Sequence, residues 1–146
     1  MMQASGICKL DPMICNELGV LYFNKRNFAA AVTWLQRARA LLSSERITAS
    51  CQPVLSNLGH ALRKLERFVE AAEAYTTALG LVPCDAPTLT ALAYTHHLAG
   101  DLTEAIETYH SALAYRADCS LSQELLQQAL QEHCRHCCHN DDPGLM

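Results

Sequence analysis

The order of residue sizes across residues 52–85, QPVLSNLGHALRKLERFVEAAEAYTTALGLVPCD, constrains this chain more than any other stretch. Leu55, Leu58, Gly59 and Leu62 fall at i, i+3, i+4 and i+7, a spacing that places them on one stripe of an α-helix. After Glu66-Arg67 a second stripe begins with Phe68, Ala71, Ala72, Tyr75, Ala78 and Leu79, and Pro83 marks where it can no longer continue. Two helices this short cannot hide their apolar faces alone, so they must pack on each other and on neighbours. Gly59 and Ala71 are small where the helices would cross, and Tyr75 is large enough to fill the gap to the next pair.

The same order recurs. Thirty-four residues on stand Leu89, Leu92, Ala93, Ala105, Tyr109 and Ala112, with Ala93 in the place of Gly59. Forty residues back stand Cys15, Leu18, Gly19, Tyr22, Ala31, Leu35 and Ala38, the extra six falling in a polar stretch at 44–50. Loops between stacked helix pairs take insertions without disturbing the stack. Each pair resembles a tetratricopeptide (TPR) unit, whose period is about 34 residues. The expected fold is all-α, a TPR α-solenoid of three helix-turn-helix repeats at about 12–45, 52–85 and 86–119.

Start and stop signals refine this outline. Asp11-Pro12 and Asp85-Ala86-Pro87 are good helix openings, because Asp caps and Pro is tolerated in the first turn. Lys25-Arg26-Asn27 turns the chain, and Ala99-Gly100-Asp101 does the same with a glycine suited to the left-handed residue after a helix end. Helices are expected at 12–24, 28–42 and 102–115. Trp34 is expected in the core, against the insertion loop or a neighbouring repeat. Ser120 can open a capping helix at about 121–134, with Leu121, Leu125, Ala129 and Leu130 covering the last pair and a Gln/Glu-rich outer face. Residues 1–10 carry no pattern, and 135–146 are expected to be a Cys/His-rich flexible tail. No cap precedes Asp11, so the first pair should expose an apolar flank.

Composition removes several classes of function. Half the residues are hydrophobic and the net charge is −4, so no basic stripe exists for a phosphate backbone and nucleic acid is not an expected partner. Arg63, Lys64 and Arg67 form a local basic cluster, read as a solvated turn. Eight cysteines lie in helical repeats that need no staple, with no signal segment before them, so they are expected to be reduced thiols in a soluble, intracellular protein. No apolar run approaches the ~20 residues that span a bilayer. The string His133-Cys134-Arg135-His136-Cys137-Cys138-His139 is rich in soft ligands, but a structural zinc site needs two separated pairs and only one C-x₂-C is present, so no metal site is expected. Cys15 should be buried and inert, and Cys51, Cys84 and Cys119 lie at repeat junctions without a base fixed beside them. No phosphate loop, serine elbow or paired carboxylates appear, so no catalytic residue and no cofactor is expected.

What remains is the concave wall that a TPR stack makes, lined by the first helix of each pair and suited to an extended or helical peptide. The spacing places Asn16, Val20, Phe23 and Asn24 there in repeat one. Ser56, Asn57, His60, Arg63 and Lys64 follow in repeat two, and Thr90, Tyr94 and His97 in repeat three. Chaperone-binding TPR domains hold a C-terminal carboxylate with Lys and Asn at groove positions. Here those positions hold Asn16/Val20, Ser56/His60 and Thr90/Tyr94, which argues against that clamp.

Three strings go further: DPMICNELGVLYF, NLGHALRKL and AYTHHLAGDLTEAIETYHSALAYRAD. Together they resemble the cell-division-cycle-sixteen subunit of the anaphase-promoting complex, over about residues 11–130. The resemblance implies a non-catalytic scaffold of a multi-subunit ubiquitin ligase that controls mitosis. It also implies a nuclear and cytoplasmic location, and other ligase subunits as partners, including a small peptide-like subunit held in the groove. By position, Asn16, Asn57, His60, Arg63 and Tyr94 are its groove residues. Family members are several times longer and dimerise through N-terminal repeats, so a homodimer is expected only if such repeats exist. Two other readings stand beside it: a TPR adaptor outside the cell cycle, and a metal-handling protein run by the Cys/His tail.

Overall fold

A computed structural model describes residues 11–42 and 47–140. All of its regular structure is helical: α1 (Pro12–Asn24), α2 (Phe28–Leu41), a 3₁₀ turn (Ala49–Cys51), α3 (Gln52–Lys64), α4 (Phe68–Leu81), α5 (Ala86–Ala99), α6 (Leu102–Tyr115) and α7 (Ser120–Asn140). This is the TPR α-solenoid pattern of helix hairpins, and the chain divides into two compact units at Val82/Pro83. Residues 1–10, 43–46 and 141–146, which include the start of the expected polar loop, lie outside the described residues.

In the first unit, α1 pairs with α2 and α3 with α4, while α2 packs on α3 and α1 reaches α3. Asp11 caps α1 by accepting from the Met13 N–H at 2.9 Å, with Pro12 in the first turn. Asn27 caps α2 by accepting from the Ala30 N–H at 3.2 Å. The glycines do what their spacing predicts. A Cβ on Gly19 would stand 2.5 Å from Leu35 Cγ, and one on Gly59 would stand 2.7 Å from the Tyr75 ring. Leu35, Leu58, Ala71 and Tyr75 are therefore pressed into a close helix crossing and fully buried. Trp34 packs with Leu42 against Cys15, Ala38 and Val54, and so against the neighbouring repeat, with the Arg37 guanidinium 5.0 Å above its ring. Cys15 is buried, as expected. Met13, Ile14 and Leu21 are 43%, 50% and 48% exposed and form an apolar flank on α1.

Each hairpin turns in the same way. In repeat one the Asn27 N–H donates to Tyr22 O and the Arg26 N–H to Phe23 O, both at 2.9 Å. Arg67 to Leu62 with Glu66 to Arg63 repeats the pattern, and so does Asp101 to His96 with Gly100 to His97. These are Schellman motifs, whose penultimate residue must be left-handed. Gly100 has φ 92°, but Arg26 and Glu66 adopt φ 62° and 61° without being glycine. The packing of the hairpins holds them there against an intrinsic cost of about 1–2 kcal/mol.

In the second unit, α5 pairs with α6, and α7 lies on α6 and reaches α5. Ala93, Leu102, Ala105 and Tyr109 form one core with Leu126 and Ala129 of α7. Two expectations for α7 need correction. Its buried face is Ser122, Leu126 and Ala129, with Leu125 partly covered, whereas Leu121 and Leu130 are 57% and 40% exposed. Ser122 can be buried because its hydroxyl meets that of Thr90 at 2.7 Å and donates to Cys119 Sγ at 3.2 Å. The helix also continues past Cys134 to Asn140, so the first part of the Cys/His segment is helical rather than a flexible tail. Among the described residues, no helix is long and apolar enough to cross a membrane.

Candidate peptide-binding wall

The sequence places twelve residues on an inner wall, and the structure divides them. Val20, Phe23, Asn24, Asn57 and His60 surround one cavity of about 220 Å³, joined by Leu35 from α2. Phe23, Asn24 and Lys64 surround an adjacent one of about 220 Å³, together with Arg26 and Phe28. Phe23 and Phe28 meet edge to face at 5.1 Å, so the two hollows share an aromatic partition. Leu35, Arg26 and Phe28 escape a reading of first-helix stripes because one lies on the second helix, one in the turn and one just after it. Leu35 carried a signal nonetheless. It occupies the place of Tyr75 in repeat two, and Val20 the place of His60, so repeat one lacks both the ring and the imidazole that fill this space one repeat later.

Asn16 is buried and accepts a 3.0 Å hydrogen bond from the Asn57 side-chain amide, tying α1 to α3 beneath the wall. His60 is positioned by its own hairpin. Its Nδ1 lies 2.6 Å from the Tyr75 hydroxyl, and the two rings meet edge to face at 5.3 Å. Burial, assisted by the neighbouring Arg63 cation, lowers the His60 pKa to about 4, so the imidazole is neutral at physiological pH. A neutral imidazole engaged at Nδ1 keeps Nε2 as its second hydrogen-bonding atom. The basic cluster at this end is less uniform than a solvated turn. Arg63 is half-buried, Lys64 is exposed, and Arg67 forks onto Glu70 with bonds of 2.8 and 2.6 Å.

In repeat three, Tyr94 and His97 behave differently. His97 is covered by α7: its side chain is 8% exposed, with Nε2 3.1 Å from Glu132 Oε1 and Nδ1 3.4 Å from the Tyr109 hydroxyl. It is therefore a packing residue rather than an open part of a groove. Tyr94 is half-buried with its ring edge-on to His97 at 6.3 Å. Burial, with Tyr94 and Glu132 close by, raises the Tyr109 hydroxyl pKa above its ordinary value. The arrangement offers shape and hydrogen bonds.

Tetratricopeptide-repeat models match residues 13–42 and 56–118. The chain belongs to the tetratricopeptide-repeat family. Within that family it resembles one group of subunits. It is 39% identical over 135 residues to anaphase-promoting complex subunit 6 of Arabidopsis thaliana, covering 92% of this chain and 25% of that protein. It is 33% identical over 133 residues to the human cell division cycle protein 16 homolog, covering 88% of this chain and 21% of the relative. The crystal structure of the APC/C hetero-tetramer Cut9–Hcn1 superimposes with a TM-score of 0.80 at 31% identity, over 88% of this chain and 25% of that one. This TPR chain thus spans about a quarter or less of the length of the curated relatives it matches.

Proposed function

We propose that this TPR chain is a non-catalytic protein-interaction segment of an anaphase-promoting-complex type of ubiquitin ligase, acting in cell division in the nucleus and cytoplasm. Its first unit would hold a peptide segment of a partner subunit. The observation that carries the reading is the mostly apolar cavity between Val20, Phe23 and Leu35, rimmed by Asn24, Asn57 and the neutral His60, in a chain similar to subunit 6 over nine-tenths of its length. Apolar hollows with a few fixed polar groups suit an extended peptide, which inserts a side chain and pairs its backbone with the rim. The Asn16–Asn57 bond and the Tyr75–His60 bond hold that rim in place before any ligand arrives.

The test is affinity capture of the tagged chain from dividing cells, followed by mass spectrometry, alongside Val20→Glu. Recovery of other ligase subunits, lost on placing a carboxylate in the cavity, supports both the assembly and the site. Recovery that Val20→Glu leaves unchanged keeps the assembly and removes the site. Recovery of no ligase subunit overturns the proposal and leaves an adaptor of another pathway.

A further inference from the structure

The continuation of α7 to Asn140 changes what its Cys/His string can do. On a helix, residues four apart share a face, and His133 and Cys137 are such a pair. His133 Nε2 lies 3.6 Å from Cys137 Sγ, with His133 half-buried and Cys137 exposed. A tetrahedral zinc ion with Zn–N of ~2.0–2.1 Å and Zn–S of ~2.3 Å holds its nitrogen and sulfur about 3.6 Å apart. The pair is therefore spaced as one edge of that tetrahedron without any movement of the backbone.

Two donors do not complete a zinc site. Among the described residues, no three His, Cys, Asp or Glu side chains converge closely enough to hold a metal ion. The missing edge has a natural source, because Leu130, 40% exposed, precedes His133 and Cys137 by three and seven positions and extends the same helical stripe. A two-fold axis across this stripe would bring a second His/Cys pair opposite the first and cover both leucines. We propose that α7 binds a soft divalent metal ion, zinc above all, between two copies of this chain, each supplying His133 Nε2 and Cys137 Sγ. On ligation each neutral imidazole gives its Nε2 lone pair and keeps its proton on Nδ1. Each thiol releases one proton to solvent, so binding strengthens as pH rises.

The experiment titrates the reduced chain, residues 1–146, with Zn(II), and with Co(II) as a spectroscopic probe, while sedimentation follows its mass. The expected result is one metal per two chains, a Co(II)–thiolate charge-transfer band, and a dimer that a chelator returns to monomer. Cys137→Ser and His133→Ala should each abolish both the band and the metal-dependent dimer, with helical circular dichroism retained. Cys84→Ser, an exposed thiol outside α7, should keep them. Absence of saturable binding, one metal per monomeric chain, or a signal that survives Cys137→Ser or is lost in Cys84→Ser would each overturn the proposal.

Discussion

Repeats two and three bury a tyrosine at the same position, Tyr75 and Tyr109, yet give its hydroxyl different histidines. In repeat two the ring lies against Gly59, and its hydroxyl reaches His60, the very next residue, at 2.6 Å. In repeat three Ala93 stands in place of that glycine and Tyr94 in place of the histidine. The Tyr109 hydroxyl is 3.4 Å from His97, three residues further along, and the ring centroids separate to 6.3 Å from the 5.3 Å of the His60–Tyr75 pair. Glu132 of α7 then closes over His97 from outside. The repeat position decides where the tyrosine lies. Its neighbours decide whether the histidine beside it faces a cavity or is sealed beneath another helix.

The largest effect that distinguishes the two is expected with pH. The His60 pKa falls to about 4 in the folded chain against an ordinary 6.5, so the unfolded chain binds the extra proton first. Stability on this account is fully present above pH ~6.5 and is lost as pH falls towards 4. Two and a half pKa units correspond to about 3 kcal/mol at most. Urea denaturation between pH 7 and 4 should show this slope, and His60→Gln should flatten it. An unchanged slope in His60→Gln would mean that this histidine is not held neutral by its place in the fold.

Next comes the glycine. Gly59→Ala puts a methyl group where the Tyr75 ring already stands, and overpacking of this kind costs about 1–3 kcal/mol. The reciprocal Ala93→Gly removes no clash and should cost the ~0.5–1 kcal/mol of a glycine inside a helix plus about 0.8 kcal/mol for its buried methyl, with no displacement of the Tyr109 ring. Thermal unfolding of the two variants checks the difference. A Gly59→Ala chain as stable as the parent would show that the closeness of Tyr75 to the backbone is not a constraint.

The smallest effect lies in the turns. Glu66 holds the left-handed conformation that Gly100 adopts freely, so Glu66→Gly should be stabilising by up to ~1 kcal/mol, with part of the relieved strain offset by the greater freedom of glycine when unfolded. The midpoint of chemical denaturation measures it, and a loss of stability would show that the Glu66 side chain matters more than its backbone.

These contrasts also show where the sequence could and could not be read. Small residues at crossings and large ones in gaps follow from helix spacing alone. Gly19, Gly59, Ala71, Tyr75 and Tyr109 are therefore legible from their order, and so are the hairpins they join. The turns at Arg26 and Glu66 carry no glycine and gave no sign of their left-handed backbone, because the hairpin enforces a conformation the residue itself does not prefer. The buried face of α7 was misread for a related reason. Counting leucines favoured Leu121 and Leu130, whereas burial of the Ser122 hydroxyl depends on Thr90, more than thirty residues away. His97 was assigned to an open wall because nothing in its own repeat shows that Glu132 will reach it. The cavity beside Val20 is a matter of absence, visible only when repeat one is laid on repeat two.

The bond between Asn16 and Asn57 carries a consequence for how the first two hairpins find each other. Apolar stripes are nearly uniform along their length and would tolerate a slip of one helical turn. The buried Asn16 amide would not, since a slip leaves it without its Asn57 partner at about 1–3 kcal/mol. The pair works like the notch on a sliding rule, and the register it fixes is the one that leaves room beside Val20.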